Sequence, residues 1–276
     1  MAKLLQSNFA RLWKSKPFWV CAVLTLALAV LNSIEINPPD DTSWMYATGK
    51  MMVDGGSNST IFAAIFAALY LGTDYACGTI RNKLAVGHSR ANVYLASLIT
   101  VTSGTLLIGA VYTVPSVFKT IVWGKELGVP IGEFLLYIAI LVFAMIALSA
   151  IFTLLGMLIT EKALTTTFTI ILAIVLLIGS AVLMDILNQP KEVTYGKVTI
   201  DSGALEMLTK PNPMYIGEGL KRDIMTAITD VLPGGQIMRL ETGDFHNPEL
   251  YPLYSVGVLA VTTAAGMLIF RRKDLK

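Results

Sequence analysis

The stretch GEFLLYIAILVFAMIALSAIFTLLGMLI, residues 132–159, decides the fold class. It contains one charged side chain, Glu133, at its edge. A helix rises 1.5 Å per residue, and about 20 mostly apolar residues cross a hydrocarbon core about 30 Å thick. This block is long enough to span a membrane and too long for a buried strand. Five further blocks share its character: roughly Pro17–Ser33, Thr60–Tyr75, Asn92–Val117, Thr166–Leu187 and Tyr251–Phe270. The composition agrees. Hydrophobic residues make up 54% of the 276-residue chain and charged residues 14%, against about 25% charged in soluble domains. The expected fold is an all-α polytopic membrane protein with six transmembrane helices, organised as a single transmembrane unit over residues 1–276.

The cations set the orientation. Lys3, Arg11, Lys14 and Lys16 precede the first block, Arg81, Lys83 and Arg90 follow the second, and Arg271, Arg272, Lys273 and Lys276 follow the sixth. With six crossings all of them share one side, which the positive-inside rule makes cytoplasmic, with both termini. Of the acids, only Asp74, Glu161 and Asp274 fall on that side. Residues 1–16 place Leu5, Phe9, Leu12 and Trp13 on one helical face beside four cations, the pattern of a helix lying in the membrane interface. The alternative is a signal peptide ending near Ala27-Leu28-Ala29.

Between the blocks, Ile34–Ser59 reads as mostly loop, with Pro38, Pro39, Asp40, Asp41 and a Gly55-Gly56 pair. Residues 188–250 read as a small extracellular subdomain: a hairpin with Val193, Tyr195 and Ile200 around Gly196, then an amphipathic helix over Glu218–Val231. Leu220, Ile224, Ile228 and Val231 lie on one face of that helix, and Pro233-Gly234-Gly235 ends it.

Several chemistries have no basis here. No G-x-x-x-x-G-K-[ST] stretch cradles nucleotide phosphates. His88 and His246 fall on opposite sides of the expected membrane, which disfavours a histidine zinc site or a Ser–His–Asp centre. Cys21 and Cys77 have no metal-type spacing, and no disulfide is expected. The block interiors lack the carboxylates and histidines that ion-coupled transporters use as relays; Asp74 and Asp185 lie near block ends, as interfacial or helix-terminus carboxylates. No catalytic, cofactor-binding or metal-binding residue is assigned.

One short cytoplasmic segment, 76–90, stands apart. Asp74 closes the second block, then come Gly78-Thr79-Ile80-Arg81-Asn82-Lys83 and Gly87-His88-Ser89-Arg90. Thr79–Val86 has length for two helical turns, with Ile80 and Leu84 forming an apolar ridge and Arg81 and Lys83 its cationic flanks. By residue type alone this is also an ordinary basic loop. The segment resembles the coupling link of permeases of the type-2 ABC exporter family. The ending Phe270-Arg271-Arg272-Lys273-Asp274-Leu275-Lys276 and the run Leu232-Pro233-Gly234-Gly235-Gln236 are similar to that family too.

The resemblance implies a transmembrane subunit that is not itself an enzyme and binds no cofactor, driven by a separate ATPase. Thr79, Ile80, Arg81, Lys83 and Leu84 would couple to that subunit, with Ile80 and Leu84 in its groove and Arg81 and Lys83 paired to its acids. Glu161 and Lys162 would make a second contact, or form a plain solvated turn. It further implies a bacterial cytoplasmic membrane location and a second copy of the chain; Ala63, Ala64, Ala67 and Ala68 offer small-xxx-small spacing for that pairing or for packing within one subunit. Comparison with phenol-soluble-modulin exporters and bacteriocin-immunity permeases points to an amphipathic peptide or peptide-toxin cargo. Drugs, lipids and polysaccharides are alternative cargoes, and no cargo-contacting residue is assigned. A non-transporting scaffold or sensor presenting residues 188–250 to a partner, and a membrane enzyme, are the rival readings.

Overall fold

The computed structural model describes residues 1–35, 44–122, 130–198 and 205–273. Their elements run α1 (Ala2–Lys14), α2 (Lys16–Glu35), α3 (Trp44–Ala76), α4 (Thr79–Ala85), α5 (Arg90–Val122), α6 (Ile131–Leu158), α7 (Lys162–Leu187), β1 (Glu192–Val198), β2 (Leu205–Pro211), α8 (Leu220–Val231), α9 (Pro233–Thr242) and α10 (Tyr251–Arg272), the last preceded by a 3-10 turn at Pro248–Leu250. Five helices (within α3, α5, α6, α7 and α10) are long and apolar enough to cross a membrane. The pair α1–α2, bent by 56°, makes a sixth if it counts as one span. The chain is therefore an all-α polytopic protein carrying one two-stranded sheet among its described residues.

Helix α3 is the central post, packed against α2, α5, α6, α7 and α9. Small residues let it be so. Ala63, Ala64, Ala67 and Ala68 are all buried inside the single chain, so their small-xxx-small spacing serves packing within the subunit. Helix α10 packs mainly on α6 and also on α5. Gly266 makes the second contact possible, because a methyl group there would run into the Tyr94 phenol.

Six hydroxyls inside the spans are satisfied locally. Thr25, Thr60, Thr100, Ser149, Ser180 and Thr262 donate to carbonyls four residues back at 2.6–2.8 Å, which removes most of the cost of a hydroxyl at membrane depth.

Contacts between ends establish the topology. Arg11 of α1 pairs with Asp74 near the end of α3, and Lys273 after α10 reaches Tyr75 and the Met157 carbonyl of α6. Thus α1, the ends of α3, α6 and α10, and α4 share a basic face. The hairpin, α8 and α9 connect the end of α7 to the start of α10, away from the basic face, with α9 packed among α3, α6 and α7.

Four expectations need correction. The stretch read as loop before Thr60 is helical from Trp44 onward. Gly55 and Gly56 are not turn residues: a methyl on Gly55 would sit 2.5 Å from the Tyr112 ring, and one on Gly56 would sit 2.9 Å from Ile237. Their glycines admit neighbouring helices, and packing overrides their weak helix propensity. Pro38, Pro39, Asp40 and Asp41 lie outside the described residues.

The hairpin exists, but Gly196 is mid-strand opposite Met207, with Tyr195 opposite Leu208; Ile200 lies outside the described residues. Pro233-Gly234-Gly235 does not simply end α8. Pro233 occupies the first turn of α9, where a missing N–H costs nothing. The face α1 buries carries Leu4, Asn8 and Leu12, while Trp13 is exposed and stacks edge-on to Phe18 at the α1–α2 bend.

Candidate functional site

The segment 76–90 is built by two left-handed glycines. After Tyr75 the chain makes one last turn, with the Cys77 amide donating to Thr73 at 2.9 Å and the Gly78 amide to Tyr75 at 3.0 Å. Gly78, at φ 66°, then redirects the backbone into the seven-residue α4. At the other end Gly87, at φ 95°, donates to the Leu84 carbonyl at 2.9 Å, and His88 donates to Lys83 at 3.3 Å. This is a glycine-based helix stop. Ser89 then caps α5 by accepting the Asn92 amide at 3.2 Å.

The anchor of this segment is Asp74, which has no exposed surface. Its carboxylate pairs with Arg11 from α1 and, at 3.4 Å, with Lys83 from α4. The Thr79 hydroxyl donates to it at 2.6 Å. Arg11 also lies 4.0 Å over the Tyr70 ring, and Tyr70 donates to the Asn8 carbonyl at 3.0 Å. One buried anion therefore ties α1, α3 and α4 together. Burial first, and then the neighbouring Arg11 charge, push the Lys83 ammonium down to about 8, while Asp74 opposes that drop.

A second tie lies where α4 gives way to α5. Arg90 donates to the carbonyls of Phe270 at 3.1 Å and Arg271 at 3.3 Å, and to that of Lys273. It thereby satisfies the open end of α10 with a cation, as the helix dipole favours. Lys273 donates to the Met157 carbonyl at 2.9 Å and to the Tyr75 hydroxyl at 3.1 Å. Burial pushes Lys273 down to about 8 as well.

The coupling residues expected from sequence divide into two sets. Ile80 is 1% exposed and packs into the core; Leu84 is half-buried against the same core. Thr79 and Lys83 turn back onto Asp74. In this chain the Ile80–Leu84 ridge faces inward, because the apolar side of a short helix is taken up first by the bundle beneath it. Within the single chain, then, Ile80 packs on the bundle and Lys83 on Asp74. Arg81, Asn82, Ala85 and Val86 face outward, with Val86 79% exposed.

Glu161 and Lys162 are both exposed. A methyl on Gly72 would lie 3.2 Å from the Lys162 α-carbon, so the α6–α7 turn abuts the end of α3 two residues before Asp74. Both predicted contacts thus belong to one face.

The sequence reading missed Asp74, Arg11, Arg90 and Lys273 as a connected set. A signal was present: an acid closing an apolar block, with a hydroxyl five and a cation nine residues on. Among the described residues no group of three or more His, Cys, Asp or Glu side chains comes together as a metal cluster. The two cysteines are free, Cys21 buried and Cys77 exposed.

The class this architecture defines is a multi-pass helical protein with a membrane-crossing bundle. No family model matches the sequence, and no curated protein matches it either.

Proposed function

We propose that the chain is the transmembrane subunit of an ATP-driven exporter of the type-2 ABC kind, set in a bacterial cytoplasmic membrane with its basic face in the cytoplasm. The observation that supports this most is the construction of α4. It is a seven-residue helix, bracketed by left-handed glycines, pinned inward through Asp74, and presenting Arg81, Asn82, Ala85 and Val86 outward. A plain connecting loop has no need of a buried ion cluster beneath it. A helix that must transmit force does, since a buried anion shared by three elements makes them move together.

In this reading a separate ATPase subunit binds the outward face of α4, with Glu161 and Lys162 beside it. Motion enters at α4, passes to α1 through Arg11 and Asp74, and passes to α10 through Arg90. The bundle shifts between inward-accessible and outward-releasing states according to which one the nucleotide-bound partner favours. A second copy of the chain completes the path. The cargo is an amphipathic peptide or peptide toxin, suited to a path lined by apolar helices.

The test is co-expression with ABC ATPase subunits, beginning with any encoded in a neighbouring gene, then affinity purification, and efflux from vesicles of a panel of peptides, drugs and lipids. Arg81→Glu with Val86→Asp alters only outward side chains. It should weaken ATPase retention by roughly tenfold or more, one decade being 1.4 kcal/mol, with insertion unchanged. An unmodified chain that retains no ATPase and moves no cargo overturns the proposal in favour of a scaffold.

A further inference from the structure

Helix α8 was expected to belong to an external subdomain, yet its far end is sunk among the spans. Gly234, three residues past α8, is packed against α7 so closely that a methyl group there would lie 2.5 Å from the Leu176 carbonyl. Leu176 precedes the exposed Asp185 of α7 by nine residues, about 13 Å of helix. A carboxylate in water or among headgroups marks the edge of the apolar layer, so the α8–α9 corner lies well inside it.

The other end of α8 is at the edge. Glu218 and Arg222 line, with Leu187 and Asn188 at the end of α7, a cleft of about 620 Å³ that also reaches Asp230 and Arg239. The twelve residues of α8 measure about 18 Å. Leu176 to Asn188 along α7 is the same length, so α8 runs down beside the last turns of α7.

Its two faces have opposite surroundings. Asp230, near the sunken end, is buried and pairs with Arg239 at 2.5 Å. Arg239 also donates to Thr229 at 2.9 Å, and Gln236 donates to the Asp230 and Tyr251 carbonyls and accepts from Ser255. The polar face is therefore locked to α9 and α10. The opposite face carries Leu220, Ile224, Ile228 and Val231, all exposed, Leu220 by 75%. Helix α7, against which α8 packs, also exposes apolar side chains at this depth, Val175, Ile178 and Val182 among them.

We infer that α8 is a half-inserted helix whose Ile224–Ile228–Val231 face is covered by the acyl chains of the membrane leaflet on the far side. The occupant is lipid, since the exposed apolar face belongs to a helix packed beside a membrane-crossing one and lies below that helix's bounding carboxylate. The cleft on the polar side lets water reach the charged groups, as backbone and charge at membrane depth require. This inference does not rest on the exporter reading.

The experiment uses the full chain carrying Cys77→Ser, which leaves the buried Cys21 as the native thiol. Ile224→Cys, Ile228→Cys, Lys221→Cys and Val182→Cys are introduced singly, labelled with an environment-sensitive dye, and reconstituted in phosphatidylcholine vesicles with brominated acyl chains. Quenching and blue-shifted emission are expected at residues 224 and 228, comparable with Val182, and weak quenching at residue 221. Water-like emission without quenching at 224 and 228, with Val182 quenched, overturns the inference. So does self-quenching that grows with protein-to-lipid ratio in place of bromine quenching, which would show a second copy covering the face.

Discussion

Replacing Asp74 by Asn removes one charge and almost no volume. The amide oxygen still accepts from Thr79, so the change isolates the ion cluster. Arg11 and Lys83 are then left side by side without their anion, with side chains 29% and 13% exposed. Breaking a fully buried pair costs about 3–5 kcal/mol, and an exposed pair is worth about 0–1 kcal/mol. These partly exposed cations fall between, at about 2–3 kcal/mol. For a chain of this size that is a fall in melting temperature of about 4–12 °C.

The assay is thermal unfolding in detergent, followed by a thiol-reactive dye on Cys21, which is 2% exposed, in a Cys77→Ser background. Adding Arg11→Gln to Asp74→Asn removes one orphaned cation and should restore part of the loss, a coupling of about 1–2 kcal/mol between contacting residues. A shift within about 1 °C for Asp74→Asn, or additive effects in the double variant, would refute the idea that this anion holds α1, α3 and α4 together.

Other predictions follow from the same contacts. Gly235→Ala drives a methyl into the Thr229 carbonyl and should cost about 3 kcal/mol in the dye assay, because the obstacle is backbone; Gly257→Ala, with open space around it, should be neutral or slightly stabilising. Asp230→Asn leaves the buried Arg239 with only the exposed Asp244, 3.7 Å away, as counter-charge and should destabilise by about 2–3 kcal/mol, with partial recovery on adding Arg239→Gln, as read by folded yield and melting temperature. Lys83 sits below its ordinary value, so between about 8 and 10.5 the unfolded chain holds more protons than the folded one, and stability rises with pH across that window. Lys83→Gln should reduce the gain measured between pH 7 and pH 9, leaving the part due to Lys273.

The crossing helices were legible because length and apolar content suffice to identify them. Their ends were less so, for reasons visible in particular residues. Gly55 and Gly56 look like a turn in one dimension, whereas their role is to admit Tyr112 and Ile237 from helices distant in sequence. Pro233-Gly234-Gly235 carries the same ambiguity, since a proline that stops one helix also starts the next. At the site, spacing identified α4 but not which way it faces. Ile80 and Leu84 form a ridge in any helical wheel, and only the bundle beneath decides that the ridge points inward. Asp74 was read as an interfacial or helix-terminus carboxylate; its partner Arg11 lies 63 residues away in sequence, and no local pattern announces such a pair.

The central claim is that force enters through the outward face of α4. It is tested most directly by placing a photo-crosslinker at Val86→Cys, in a Cys77→Ser chain, in native membranes. A crosslink to an ATP-hydrolysing subunit is expected, changing in yield when nucleotide is trapped. A correctly folded chain that crosslinks to no such subunit, with or without nucleotide, would contradict it.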